Sequence, residues 1–132
     1  MSNIRPEISK KKKYYISKHR YYELVHFCLQ YPEWEREYND LNFLNSQHSE
    51  VRSSDISDPT GMYAVRRAVL EGNMRMVENV ARKTRPELAV YIFKAVTEGR
   101  SYAYFEARGI PCGKDLFYEC RRRFFWLLDS RK

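Results

Sequence analysis

The sequence predicts an all-α fold, and three observations carry the prediction. Apolar residues recur at intervals of three and four, no segment alternates apolar and polar residues with period two, and helix start and stop signals punctuate the chain. The predicted arrangement has three parts. These are a basic arm over 1–13, a support region over 14–83 built from a helical hairpin and a central helix, and a helix-turn-helix region over 84–132.

The arm ends in Lys10, Lys11, Lys12 and Lys13, a run that repels itself and stays solvated. It is either a solubilising tail or an arm that touches phosphates beside a docked domain. Ser17 is an N-cap residue type, and Leu24, Phe27, Cys28 and Tyr31 fall on one face, so a helix is predicted over 17–31. Pro32 suits the first turn of a second helix, where Glu33, Glu35 and Glu37 favour the positive end of the dipole. Trp34, Tyr38 and Leu41 form its apolar stripe, and two antiparallel helices joined at Tyr31-Pro32 are the simplest picture. Residues 45–58 are polar and serine-rich and read as a loop. Asp58 and Pro59 then supply an N-cap and a first helical residue for a central helix. Met62, Val65 and Val69 line one face of it, and Met76 and Val80 continue that face. Glu71-Gly72-Asn73 leaves open whether this is one long helix or two.

Thr84-Arg85-Pro86-Glu87 reads as a capping box with a proline in the first turn. Leu88, Tyr91, Ile92, Ala95 and Val96 follow at helical spacing, and Gly99 is a candidate left-handed cap. A short helix is predicted over 101–108. Gly109-Ile110-Pro111 then makes a tight turn, and a last helix runs over 113–129. Long helix, short helix, glycine turn and basic helix are the plan of a helix-turn-helix. On a wheel of the last helix, Phe117, Cys120, Phe124, Leu127 and Leu128 form the core face. Lys114, Asp115, Tyr118 and Arg122 are the candidates to reach base edges, since the N-terminal turns of a recognition helix do so. Asp115 would accept from a cytosine amino group and Arg122 would bridge guanine O6 and N7. Arg121 and Arg123 are assigned to phosphates, and Ser101 to a phosphate at the start of the short helix. Trp126 points with the polar face, so a partner or another helix is expected to cover it.

Charge is unevenly placed. Residues 1–20 hold seven Lys/Arg and one acid, a balance of +6. Residues 21–81 hold five bases and ten acids, −5, and residues 82–132 hold twelve bases and six acids, +6. Two basic ends around an acidic middle point to a polyanion, with nucleic acid ahead of an anionic membrane. The acidic middle would repel phosphate and is assigned to support or assembly.

Other classes have less to stand on. No stretch approaches the roughly 18 apolar residues of a membrane span, and no apolar run follows the early lysines as a signal peptide requires. A cytosolic location is expected. Cys28, Cys112 and Cys120 are an odd set with no close pair, which fits reduced thiols better than a disulfide framework or a zinc site. His19 and His26 lie about 10 Å apart along one helix, too far to share an ion. No phosphate loop, nucleophile elbow or zinc-protease motif occurs, so no catalytic residue, metal or cofactor is expected.

The stretch Ile110-Pro111-Cys112-Gly113-Lys114-Asp115-Leu116-Phe117-Tyr118, with Arg121-Arg122-Arg123-Phe124-Phe125-Trp126-Leu127-Leu128, resembles small phage and prophage regulators of Gram-positive bacteria. These are the RinA-like and ArpU-like late-transcription activators, themselves distantly similar to region four of bacterial sigma factors. Residues Tyr15 to Leu24, the stretch Cys28 to Trp34, and Asp58-Pro59-Thr60 are similar to the same proteins. The resemblance implies a sigma region-four-like helix-turn-helix over 101–128 with its recognition helix over 113–128. It implies a phage-encoded regulator that binds double-stranded DNA in a bacterial host, with host RNA polymerase as a further partner. Pro111 departs from plain sigma-like turns and shifts the start of the recognition helix by a residue or two. Two alternatives stay open: a small terminase-like packaging protein, which would form a ring, and a protein-binding module such as an inhibitor of host defence. A homo-oligomer is compatible with each of them.

Overall fold

A computed structural model of the chain describes residues 13–48 and 59–132. Lys10, Lys11 and Lys12, and residues 49–58 of the loop expected over 45–58, lie outside the described residues. Among these residues the protein is all-helical, with six α-helices and no strand.

Helix α1 (Lys18–Leu29) begins after Ser17, whose backbone is extended as a cap requires, although its hydroxyl makes no cap bond. Its inward face is Tyr21, Leu24 and Cys28, spaced three and four apart. Gln30 alone separates it from α2 (Tyr31–His48). Helix α2 therefore runs four residues into the stretch read as a loop. Its close antiparallel partner is the following helix, not α1. The tie points run in opposite directions: Tyr31 donates to Glu78, while Arg66 donates twice to Glu37 at 2.7 and 2.9 Å. Near the joint, α1 meets α2 through Phe27 and Trp34, with ring centres 4.8 Å apart.

Helix α3 (Pro59–Thr84) is one continuous helix of 26 residues, about 39 Å long. Gly72 sits inside it without a break. Its buried residues are Leu70, Met74, Val77, Val80, Ala81 and Thr84, so burial begins only near the middle of the helix. The expected apolar face divides: Val80 is buried, Met76 is half-buried, and Met62, Val65 and Val69 are exposed. Burial in α3 begins at Leu70, while the described side-chain bonds of the outer half, from Arg66 and Arg67, go to Glu37 and Asn42 of α2.

The capping box does not form. Thr84 closes α3 instead, and its hydroxyl donates to the Val80 carbonyl at 2.7 Å. A single turn of 3-10 helix, Pro86–Leu88, leads into α4 (Ala89–Glu98). Pro86 cannot donate a backbone bond, so it suits the start of that turn. Gly99 ends α4 at φ 71°, the left-handed conformation that glycine adopts without a Cβ penalty. Helix α5 (Tyr102–Glu106) is short, and Gly109 at φ 81° reverses the chain after it. Ile110 then returns to the core at 8% exposure. Helix α6 (Lys114–Arg131) follows, with Gly113 as its extended cap.

One core joins these elements. Phe117, Phe124 and Leu128 of α6 are fully buried among Leu24 of α1, Leu70 and Val77 of α3 and Ile92 of α4. Full burial of such a side chain contributes about 1.5–3 kcal/mol. Phe125 is buried too, its ring centre 5.3 Å from Tyr21, while Leu127 is only half-buried. The inward face of α6 is thus turned toward α1 relative to the sequence expectation.

Candidate nucleic-acid interface

Helices α4, α5 and α6 place the expected site residues. Aromatic contacts brace the short helix: Phe105 lies 5.9 Å from Tyr91 and 5.7 Å from Phe117, ring centre to ring centre. Tyr102 donates its hydroxyl to the Cys112 carbonyl at 2.8 Å, tying α5 to the turn before α6.

The expected residues separate into two groups. Ser101, Lys114 and Asp115 are exposed. Ser101 caps α5 through its backbone carbonyl, which accepts from the Tyr104 N–H at 3.1 Å, and its hydroxyl makes no cap bond. Lys114 and Asp115 open α6, and Asp115 there complements the positive helix end. Arg122 is half-buried and has no hydrogen-bond or ion-pair partner among the described residues.

The second group is engaged within the molecule. Tyr118 accepts the Tyr102 N–H at 3.2 Å, so its hydroxyl secures the first turn of α5. Arg121 donates to the Tyr21 hydroxyl at 2.7 Å, and its guanidinium lies 5.1 Å from the centre of the Phe125 ring. Arg123 donates to the Thr84 carbonyl at 3.0 Å, satisfying an acceptor at the end of α3 that has no partner within the helix. Three consecutive arginines therefore point three ways, and only Arg122 faces outward unpaired.

The outward face of α6 carries Asp115, Glu119, Arg122, Trp126 and Ser130, spaced four, three, four and four. Two carboxylates oppose one guanidinium, so this face alone does not attract a polyanion. Positive charge comes from its surroundings. Trp126 is 41% exposed and meets Tyr14, ring centres 5.5 Å apart. Lys13 lies beside that pair, its Nζ 5.3 Å from the centre of the Tyr14 ring. The lysine arm thus leaves the described structure at the C-terminal half of α6. Arg20 donates to Asp129 at 2.6 Å and joins the same two ends.

Two further basic features escaped the sequence reading. Arg100 and Arg108 both stack on Tyr104, at 4.2 and 3.7 Å from the ring centre, beside Ser101. The signal was the spacing Arg100, Tyr104, Arg108 at four-residue steps across the glycine-flanked short helix. Arg82 and Lys83 are exposed at the end of α3, and Arg85 stands next to them. Arg123 reaches this end, which no sequence spacing reveals.

The thiols do not form a site. Burial pushes the Cys28 thiol up to about 12 and raises Cys112 and Cys120 as well, so all three are poor nucleophiles. Among the described residues no group of three or more His, Cys, Asp or Glu is arranged to hold a metal ion, and no helix is long and apolar enough to cross a membrane.

No protein-family model matches the chain, and no curated protein or solved structure matches it either.

Proposed function

We propose that this protein is a sequence-specific, double-stranded DNA-binding transcription regulator of the phage late-activator type. One observation carries the reading. The described part of the N-terminal basic segment, with Lys13, Lys18 and Arg20, is joined to the basic C-terminal helix α6 through Tyr14–Trp126 and Arg20–Asp129. A concentrated positive field on one side is the footprint of phosphate binding.

In this reading α6 enters the major groove, with Arg122 and Asp115 at base edges. Lys114, the lysine arm and the Arg100–Tyr104–Arg108 stack hold phosphates on either side of the groove. Asp115 and Glu119 limit non-specific attachment, because each repels the backbone wherever it finds no donor base. Host RNA polymerase is a second partner in this reading, and a pull-down that retains DNA binding but recovers no polymerase subunit removes it.

The test is selection from a random duplex library by the full chain at low and moderate salt. An enriched motif that survives the salt increase is expected. Arg122→Ala is expected to relax that motif at one position and cost about 1–3 kcal/mol. Lys114→Ala is expected to weaken all sequences alike and reduce the salt slope by about 1. Binding that enriches nothing and vanishes with salt overturns the reading.

A further inference from the structure

We propose that a second copy of this chain docks on the outer half of the α2–α3 hairpin, with the two α3 helices antiparallel. The proposal is independent of the DNA reading. Nine large apolar residues are exposed in the described structure, and five of them, Phe43, Leu44, Met62, Val65 and Val69, sit on this outer hairpin. Met62, Val65, Val69 and Gly72 follow at steps of three, four and three, the seam of a helix that packs on another helix. No described element covers them: Met62 is 69% exposed, Val65 67% and Val69 48%.

Charge narrows the occupant. The seam itself carries none; of the neighbouring cations Arg66 is paired with Glu37 and Arg75 with Glu71, while Arg67 is turned to α2 and donates to Asn42. The described outer hairpin holds Glu37 and Asp40 against Arg66 and Arg67, so the face has no net positive charge to attract nucleic acid or anionic lipid. An uncharged helical face of another protein fits.

Size points to a copy of the same face. Antiparallel helices pair residues from the two seam positions in layers. One register sets Met62 against Gly72 of the second copy and Val65 against its Val69, and the two-fold repeats both layers in reverse. The longest side chain then meets the missing one, where a Cβ added to Gly72 would touch nothing within 4 Å. Ala68, exposed and one residue from the two-fold axis at position 67, lets the backbones approach on its side of the seam. Leu44 lies seven residues after Glu37, on the face of α2 that the Arg66 bond holds beside the seam. Near the axis the Glu37–Arg66 pairs of both copies meet, so each guanidinium has the other copy's carboxylate as a further acceptor.

The seam offers far fewer residues than the roughly 20–30 a side of a standard stable interface. The dimer is therefore reversible and depends on concentration. Sedimentation of the full chain without DNA, over a wide concentration range, should show a monomer–dimer equilibrium. Val69→Glu and Met62→Glu alter exposed positions and should each raise the dissociation constant more than about tenfold, with unchanged circular dichroism. For orientation, Val65→Cys and Val69→Cys proteins mixed under mild oxidation should form more disulfide-linked dimer than either alone. A monomer at every concentration, dimers indifferent to both glutamate variants, or stronger crosslinking of each variant with itself than in the mixture overturns the proposal. A monomer leaves the seam to a foreign helix, and self-crosslinking indicates parallel pairing.

Discussion

Arg122 and Arg123 are neighbours in the chain and serve different ends. Arg123 donates to the carbonyl of Thr84, a residue only 2% exposed, whereas Arg122 is unpaired among the described residues. A buried acceptor that loses its donor bears a desolvation cost. Arg123→Ala should therefore lower folding stability by about 1–2 kcal/mol, read by denaturant unfolding. Arg122→Ala should leave stability within about 0.5 kcal/mol, as surface substitutions do. Equal losses at both positions would contradict the division. The sequence placed all three arginines on one helix but not their partners. Tyr21 and Thr84 lie 100 and 39 residues from the arginines they bind. Contacts at that separation leave no mark in local spacing.

At the scale of the element, the outer α2–α3 hairpin leaves Phe43, Leu44, Met62, Val65 and Val69 exposed. Its outer end relies on Tyr38 and Leu41 and on the Glu37–Arg66 pair. The bond from Arg66 holds the Glu37 carboxyl below the usual carboxylate range. A depressed pKa contributes stability above the unfolded value, and that contribution is lost as pH falls through the folded one. The pair is solvent-exposed, so the effect is small and local. Amide exchange in 62–69 should speed up as pH drops below about 4.5, after correction for intrinsic rates, while amides in 117–128 stay protected. Glu37→Gln should abolish that pH dependence. The helices themselves were legible from periodicity, and so were the glycine stops at Gly99 and Gly109. The capping box was not. Thr84, Pro86 and Glu87 match the motif, yet Thr84 is the last residue of α3 and its hydroxyl turns back to Val80. A local motif loses when the preceding helix, held by core packing, extends into it.

Taken whole, the molecule shares its core across the expected boundary at 83/84. Phe124, Phe125 and Leu128 share a core with residues of α1 and α3, not with residues 84–132 alone. A fragment of residues 84–132 exposes that surface. It should show far less helix by circular dichroism than the same segment contributes to the full chain, and bind DNA only weakly. A fragment that melts cooperatively would show the C-terminal region to be self-sufficient.

The sequence by itself determined the helical class, most helix limits, the glycine reversals, the asymmetry of charge and the inward residues Phe117, Phe124 and Leu128. These follow from local rules, because periodicity, capping and backbone sterics act within a few residues. Only the tertiary structure decided which apolar stripe is core. Met62, Val65 and Val69 have the same spacing as residues that are buried, but no described element covers them. It also decided that Tyr14 and Arg20 lie against α6 and that Tyr118, Arg121 and Arg123 are held by neighbours. Burial and pairing depend on which distant elements arrive alongside, and that is set by the packing of the whole chain.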